Sequence, residues 1–299
     1  MKTDAHRRAV RRAAMKTEVY RLLPRWAQIV INAVLLVVAL TPVVYMLFAS
    51  VNDDLAVARG DFWPSAFHPG NYAEIWDTVE LGDGLLNSIL VAGSVAVVSA
   101  LVSVMTAYVL VRFSFFGRGL ILRGLLALQS IPGTLMLLPV FVLFANLARI
   151  LSIDVIGTRW ALFVTYLTFA LPFSTWVMVT YLRGLPHELD EAARLDGASS
   201  WRILRSIVIP LSWPGLVVSA IFAFLLGWND VLFASVITNA DTRTAAVALQ
   251  VFGATQEGGA IPLYGQLMAS ALVCALPVVV LYLAFQRFLV GGLTAGGVK

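Results

Sequence analysis

Cysteine, lysine and histidine are scarce in this chain of 299 residues, and their scarcity excludes several kinds of active site. The single cysteine, Cys274, cannot form an intrachain disulfide, and one thiolate does not make a zinc or iron–sulfur site. Lysine occurs only at positions 2, 16 and 299, and none of the three ends the glycine-rich loop that binds nucleotide phosphates. We therefore predict that the chain has no catalytic residues, no metal site and no cofactor.

The positions of the three histidines also do not fit a catalytic site. The segment His187-Glu188-Leu189-Asp190-Glu191 has glutamate where a zinc protease needs its second histidine. An intramembrane serine protease needs a basic side chain beside its nucleophile at membrane depth. His6, His68 and His187 all lie outside the apolar segments, so no such base is available.

Long apolar segments are what the chain has in abundance: 60% of its residues are hydrophobic, 13% are charged, and the mean hydropathy is +0.86. A helix needs about 20 apolar residues to cross the hydrocarbon core. Six windows meet this length, and they contain one ionisable Asp, Glu, Lys or Arg between them, Asp230. The pattern predicts an all-α, polytopic membrane protein of six transmembrane helices, at 26–50, 85–111, 125–146, 160–182, 211–237 and 263–285. Prolines within the windows predict kinks or breaks there.

The basic residues predict the orientation. If the six windows all cross, 17 of the 21 Lys and Arg residues lie on the side of the two termini, eight of them in the arm 1–25. The opposite side is acidic in its first loop, 51–84. The positive-inside rule then predicts that both termini are cytoplasmic. The expected location is the plasma or inner membrane. The basic arm fits an orienting segment beside anionic lipid better than a nucleic-acid site.

The longest connection on that side, 183–210, predicts two short helices. Pro186 suits a first helical position, acidic residues follow in the first turn, and Gly197 suits the left-handed residue that ends a helix. Ser199 or Ser200 is expected to cap the second helix, which ends at Pro210. Residue chemistry alone leaves two interpretations open: docking to a basic partner protein, or a turn that faces lipid or packs on its own chain.

The residues of this loop carry a resemblance to a known family. Glu191-Ala192-Ala193, then Gly197, Ile207, Ile209 and Pro210, resemble the EAA signature of permease subunits of ATP-binding-cassette importers. Ile209 departs from the leucine usual there, a small change in a buried contact. The string 191–198, the triplet Trp228-Asn229-Asp230 and the ending 291–299 look like the carbohydrate branch, most closely the maltose-type second permease.

The resemblance implies a subunit that hydrolyses no ATP itself. Its partners would be a second homologous permease, two cytoplasmic ATP-binding-cassette ATPases, an extracytoplasmic solute-binding protein and a sugar, within the lipid bilayer and without nucleic acid. The chain would divide into a basic arm (1–25), a six-helix permease domain (26–290) that contains the coupling loop 183–210, and a cytoplasmic tail (291–299). By the resemblance, that tail would reach towards the ATPases, whereas its glycine content alone is equally typical of a disordered end.

The resemblance also assigns roles to residues. In the coupling loop, Trp201 and Ile207 would hold the helix pair against the ends of the spans, and Trp228, Asn229 and Asp230 would contact substrate or form a gate. The residues expected to couple to the ATPase are Glu191, Ala192, Ala193, Asp196, Gly197, Trp201, Ile207 and Pro210. Two other functions remain open: an ion-coupled secondary transporter that uses Asp230, and a membrane scaffold that transports nothing. Because Asp230 is expected near the outer interface rather than at the midplane, an interfacial carboxylate capped by neighbouring amides is favoured over a coupling group.

Overall fold

The computed structural model describes residues 24–256 and 263–295, with side chains to residue 288. Most of the predicted basic arm (1–25) and the last residues of the predicted tail (291–299) lie outside the described residues. The described part is all-α, as predicted. Its helices are α1 (Arg25–Ala49), α2 (Asp54–Ala58), α3 (Asn71–Thr78), α4 (Leu81–Arg112), α5 (Arg118–Gln129), α6 (Gly133–Leu151), α7 (Arg159–Arg183), α8 (Glu188–Leu195), α9 (Ser200–Leu211), α10 (Trp213–Asn229), α11 (Leu232–Ile237), α12 (Ala245–Gln256) and α13 (Tyr264–Ala295).

Six spans fit the lengths and apolar composition of these helices. Helices α1, α4, α6, α7 and α13 are each long and apolar enough to cross a bilayer. The sixth span is α10, which follows α9 across a break at Ser212 where the helix axes bend by 77°. At 1.5 Å per residue, the 17 residues of α10 cover about 25 Å, close to the ~30 Å of a hydrocarbon core.

Two predicted windows have wrong boundaries, and polar or proline residues explain both errors. The third window, 125–146, is interrupted before Gly133, because Pro132 ends the preceding segment; the span is α6, and residues 125–129 belong to α5. The fifth window, 211–237, ends as a span at Asn229. Asp230 leaves the helical conformation there, and α11 begins as a separate short helix.

Most of the prolines within the windows do not break their helices. Pro42, Pro139, Pro172 and Pro277 lie inside helices that continue on both sides of them. This tolerance is typical of membrane helices, where neighbouring groups satisfy the freed carbonyls. Breaks occur near Pro132 and at the bend before α10.

The centre of the bundle is formed by α4, α7 and α10, which pack against one another along most of their lengths. Small residues allow this close packing. A Cβ on Gly227 of α10 would lie 3.0 Å from the Tyr166 ring of α7 and 3.3 Å from Ala92 Cβ of α4. By contrast, α1 contacts α13, and its apolar window has no buried residue within the described chain.

We call the end of the bundle that carries 183–210 the proximal end, and the opposite end the distal end. Helix α4 connects them, because its 32 residues extend over about 48 Å. At its proximal end, Val104 and Val111 pack in one apolar cluster with Leu182 and Val208. Further towards the distal end, Val91 and Val95 pack in a second cluster with Tyr166 and neighbouring residues. Both candidate sites adjoin these clusters.

Candidate functional site

Helix α8, in the proximal loop, ends at the predicted glycine. Gly197 has φ +79°, the left-handed conformation. Its N–H donates to the Arg194 carbonyl at 3.0 Å, and the Ala198 N–H donates to the Ala193 carbonyl at 2.9 Å. These two bonds form a Schellman motif, which satisfies carbonyls that a helix end otherwise leaves unpaired. The prediction that Gly197 ends this helix is confirmed.

The beginning of α8 differs slightly from the prediction. The helix begins at Glu188 with His187 as its cap, so the expectation that Pro186 is the first helical residue is wrong by two positions. The acidic first turn is present and holds Glu188, Asp190 and Glu191. Negative charge is favourable there because the helix dipole is positive at this end.

The three carboxylates of α8 do not share one surface. Glu188 and Glu191 are exposed, whereas Asp190 is 4% exposed. Its Oδ2 lies 3.0 Å from Nε of Arg112, the last residue of α4, and both side chains are almost fully buried. Sequence reasoning treated the carboxylates as a group and missed this ion pair. The available signal was an arginine directly at the end of an apolar span.

Helix α9 follows with the predicted cap and a different packing face. The Ser199 hydroxyl accepts a hydrogen bond from the Arg202 N–H at 3.4 Å, so the first of the two predicted caps is used. The buried side chains are Ile203, Leu204 and Val208. Of the two residues expected to hold the loop against the spans, Ile207 packs against the proximal apolar cluster. Trp201 is 60% exposed, so the expectation is wrong for this residue.

The end of α9 also lies beyond its predicted limit. The helix passes through Pro210 and ends at Leu211, after a π-helical turn over Leu204–Val208. Pro210 has no N–H, so the wider turn occurs where a regular hydrogen bond is absent. The chain then bends at Ser212, whose hydroxyl donates to the Val208 carbonyl at 2.5 Å.

The exposed surface of the loop combines acidic, small and apolar groups. Glu191 and Ala192 are exposed on α8, Leu195 at its end is 90% exposed, and Ala193 is buried against the bundle. A cavity of about 250 Å³ opens between α8 and α9. Its lining consists of Ala193, Asp196, Ala198, Arg202, Ile203, Ser206 and Ile207.

The triplet at the distal end of α10 is only partly available to a solute. Trp228 is 6% exposed and stacks on Phe224, with ring centroids 5.2 Å apart. Asn229 is exposed, and its amide donates to the Leu225 carbonyl. Trp228 and Asn229 line a cavity of about 370 Å³ between α10, α12 and α13.

Asp230 is occupied by structural hydrogen bonds. Its Oδ2 accepts from the Phe233 and Ala234 backbone N–H groups, both at 3.0 Å, and from the Tyr166 hydroxyl at 2.7 Å. The carboxylate therefore caps α11 and ties it to α7. These three hydrogen bonds brace the break between α10 and α11.

A second distal network was not foreseen from the sequence. The Gly265 N–H, at the start of α13, donates to Asp54 Oδ1 at 2.8 Å. The Gln266 amide donates to Glu74 Oε2 at 2.6 Å. Burial raises the pKa of Asp54 above its ordinary value of 3.8, opposed by the Gly265 hydrogen bond. These contacts join segments about 190 to 210 residues apart in sequence, which no local pattern signals.

The described residues contain no group of three or more His, Cys, Asp or Glu side chains placed to hold a metal ion. The candidate site has two parts. It consists of a short exposed helix with a defined end at the proximal side, and a braced helix break beside a cavity at the distal side.

Comparisons with known proteins agree with this arrangement. The family profile described as "Binding-protein-dependent transport system inner membrane component" matches residues 99–294. The trehalose transport system permease protein of Mycobacterium tuberculosis is 32% identical over 275 residues, which cover 92% of this chain and 97% of that protein. The diacetylchitobiose uptake system permease protein of Streptomyces coelicolor is 32% identical over 262 residues, covering 87% and 84%.

A solved structure shares the fold. One chain of a bacterial ABC transporter involved in the import of the acidic polysaccharide alginate superposes with a TM-score of 0.71 at 22% identity, covering 89% of this chain and 98% of that chain. Sequence, helix arrangement and family profile lead to one assignment. The chain belongs to the family of binding-protein-dependent transport system inner membrane components, and it is a permease subunit of an ABC importer, not an enzyme.

Proposed function

We propose that this chain forms half of the translocation pathway for a sugar or sugar-like solute. The relatives named above are permeases for trehalose and diacetylchitobiose, which supports this substrate class. A third relative, the sulfoquinovosyl glycerol transport system permease protein of Agrobacterium fabrum, is 32% identical over 270 residues and widens the class to glycosylated polyols. The other half of the pathway is a second, homologous permease.

The proposed orientation places the proximal end in the cytoplasm, with both termini on that side. The arginines Arg112, Arg183, Arg202 and Arg205 all belong to the proximal connections, which supports this orientation. Two cytoplasmic ATPase subunits then face α8 and α9. An extracytoplasmic solute-binding protein faces the distal loops.

Coupling to the ATPase is assigned to the exposed surface of 183–210. Glu191 pairs with a basic group of the ATPase, Ala192 allows close approach, and Gly197 holds the helix end. Asp196 and Ile207 line the cavity between α8 and α9, Ala193 seats α8 on the bundle, and Pro210 precedes the bend into α10. Trp201 and Leu195, which are exposed, add apolar contact with the ATPase.

The distal triplet acts as a gate in this proposal. Trp228 closes one wall of the 370 Å³ cavity, and Asp230 braces the break between α10 and α11. Asn229 is the exposed member of the triplet and is the side chain assigned to contact a passing solute. Rocking of the two permeases against each other would open this region to either side of the membrane.

The observation that carries the proposal is the defined, exposed α8 with its Schellman end and its acidic first turn. A matched pair of variants tests it, because Glu188 and Glu191 are both exposed carboxylates in that turn. In the complex reconstituted with its partner subunits, Glu191→Gln is expected to lower binding-protein-stimulated ATP hydrolysis about fivefold, whereas Glu188→Gln stays within about twofold of wild type.

Three results would contradict the proposal. Equal effects of the two substitutions would show that α8 contributes only general charge. Solute uptake driven by an ion gradient through this chain alone would identify a secondary transporter. Assembly with the ATPases and binding protein, but without solute uptake, would identify a scaffold.

A further inference from the structure

The buried ion pair between Arg112 and Asp190 connects two parts of the chain that are distant in sequence. The Arg112 Nε and Asp190 Oδ2 atoms are 3.0 Å apart, and the side chains are 2% and 5% exposed. The Arg112 guanidinium also donates to the Leu185 and Pro186 carbonyls, at 3.4 Å. One side chain at the end of α4 thus holds both the first turn of α8 and the loop that precedes it.

This contact attaches α8 to the bundle together with the packing of Ala193 in the proximal apolar cluster. Within α8, all of which is described, the buried residues are Asp190 and Ala193. An eight-residue helix is marginal in isolation, so its position depends on such contacts. Both charges also suit their helix ends: the arginine is at the negative end of α4, and the aspartate is in the positive first turn of α8.

The far end of α4 holds distal elements in a similar way. Asn87 donates to the Asp241 and Arg243 carbonyls at 3.1 and 2.9 Å, and the Ser88 hydroxyl accepts from the Ala245 N–H at 2.9 Å. Ala245 is the first residue of α12, which lines the cavity beside Trp228. Helix α4 therefore links the loop at one end to the cavity wall at the other.

We infer that Arg112 is a positioning residue: through its ion pair with Asp190 it fixes α8 on α4, so that a displacement of α8 moves α4 as a rigid rod and reaches the distal cavity. The inference rests on the proposed function, because it names the helix through which a movement caused by the ATPase passes from the coupling loop to the distal end. It assigns this transmission to α4 across a non-covalent contact, in addition to the covalent connection through α9 and α10.

A double-mutant cycle tests the inference in the assembled complex with its binding protein. Breaking a buried pair leaves one charge without a partner, so Arg112→Gln and Asp190→Asn are each expected to lower the maximal stimulated ATP hydrolysis about tenfold. The double variant is expected to be no worse than the more affected single variant, because the two charges act through each other. The binding-protein concentration for half-maximal stimulation should stay within about twofold of wild type, since the distal surface is unchanged.

A control variant and exchange measurements separate positioning from general destabilisation. Arg123→Gln removes an exposed arginine of α5 and should leave hydrolysis at the wild-type level. Hydrogen exchange of the complex should accelerate over 188–195 in the single variants and remain unchanged over 81–100.

The outcomes decide between this inference and the proposed function itself. If the wild-type complex shows no binding-protein-stimulated hydrolysis, the proposed function fails. If wild type responds, but single variants keep its maximal rate or their losses multiply in the double variant, only the role of the ion pair is refuted. If a single variant does not assemble, assembly of the neutral double variant supports the ion pair, and its failure to assemble refutes it.

Discussion

Replacement of Gly197 tests whether the end of α8 depends on backbone conformation. The residue has φ +79°, and a Cβ added to it would meet no atom within 4 Å. Space therefore does not require glycine in this chain, whereas the left-handed conformation does. A series of three substitutions separates these causes: Asn tolerates this conformation, Ala is strained in it, and Val is strained further because its Cβ is branched.

The magnitude follows from the conformation alone. A non-glycine residue in the left-handed region costs about 1–2 kcal/mol, which shifts the ratio of ordered to frayed helix end about 5- to 30-fold. The helix has eight residues, so its end is expected to be sensitive to strain of this size. The structure supplies no clash that would add a further penalty.

The assay is binding-protein-stimulated ATP hydrolysis by the reconstituted complex. Gly197→Asn is expected to retain activity within about threefold of wild type, Gly197→Ala to lose about fivefold, and Gly197→Val to lose more than about tenfold. Equal loss in the Asn and Val variants would refute the reasoning, because it would mean that the ATPase needs the space beside Gly197. Wild-type activity in the Val variant would show that the Schellman end is unnecessary.

Two further predictions concern the distal end. Gly265→Ala would place a Cβ 2.4 Å from the buried Asn71 side chain. This substitution is expected to destabilise the complex by about 2–4 kcal/mol, measured as a lower unfolding temperature in nanodiscs. An unchanged unfolding temperature would refute the close approach of the two residues. Tyr166→Phe removes one of three donors to Asp230 and is expected to lower the free energy of unfolding by about 1.5–3 kcal/mol in the same measurement. Solute uptake by this variant is expected to remain independent of an ion gradient. If the wild-type complex shows ion-coupled uptake and the Tyr166→Phe variant loses it, Asp230 is a coupling carboxylate.

Much of the proximal loop could be predicted because its signals are local. The conformation of Gly197 follows from the absence of a Cβ, and the cap at Ser199 follows from one hydroxyl beside a helix start. The resemblance assigned Trp201 to the contact with the spans, but a motif does not show which side chains are buried. In the structure the aliphatic residues Ile203 and Leu204 occupy the buried positions and leave the indole exposed.

The distal triplet shows the same limit. Asp230 stood out in the sequence as the one ionisable residue in the six windows, and its place near the outer interface favoured a carboxylate capped by neighbouring amides over a coupling group. Its hydrogen bonds to Tyr166 and to the amides of α11 show that the carboxylate holds a helix break. The partner hydroxyl is 64 residues away in sequence, so no spacing rule could have found it.

The sequence by itself determined that this is an all-α membrane protein with six apolar segments and an acidic, glycine-terminated helix between the fourth and fifth. Hydrophobic length and local backbone preference are properties of short stretches, and they need no knowledge of neighbours. The tertiary structure alone decided which carboxylates are exposed and which are used internally. Asp190 meets Arg112, and Asp54 meets the start of α13, only after folding brings distant segments together. Those contacts depend on three-dimensional packing, since a buried charge is stable only where a partner from elsewhere in the chain reaches it.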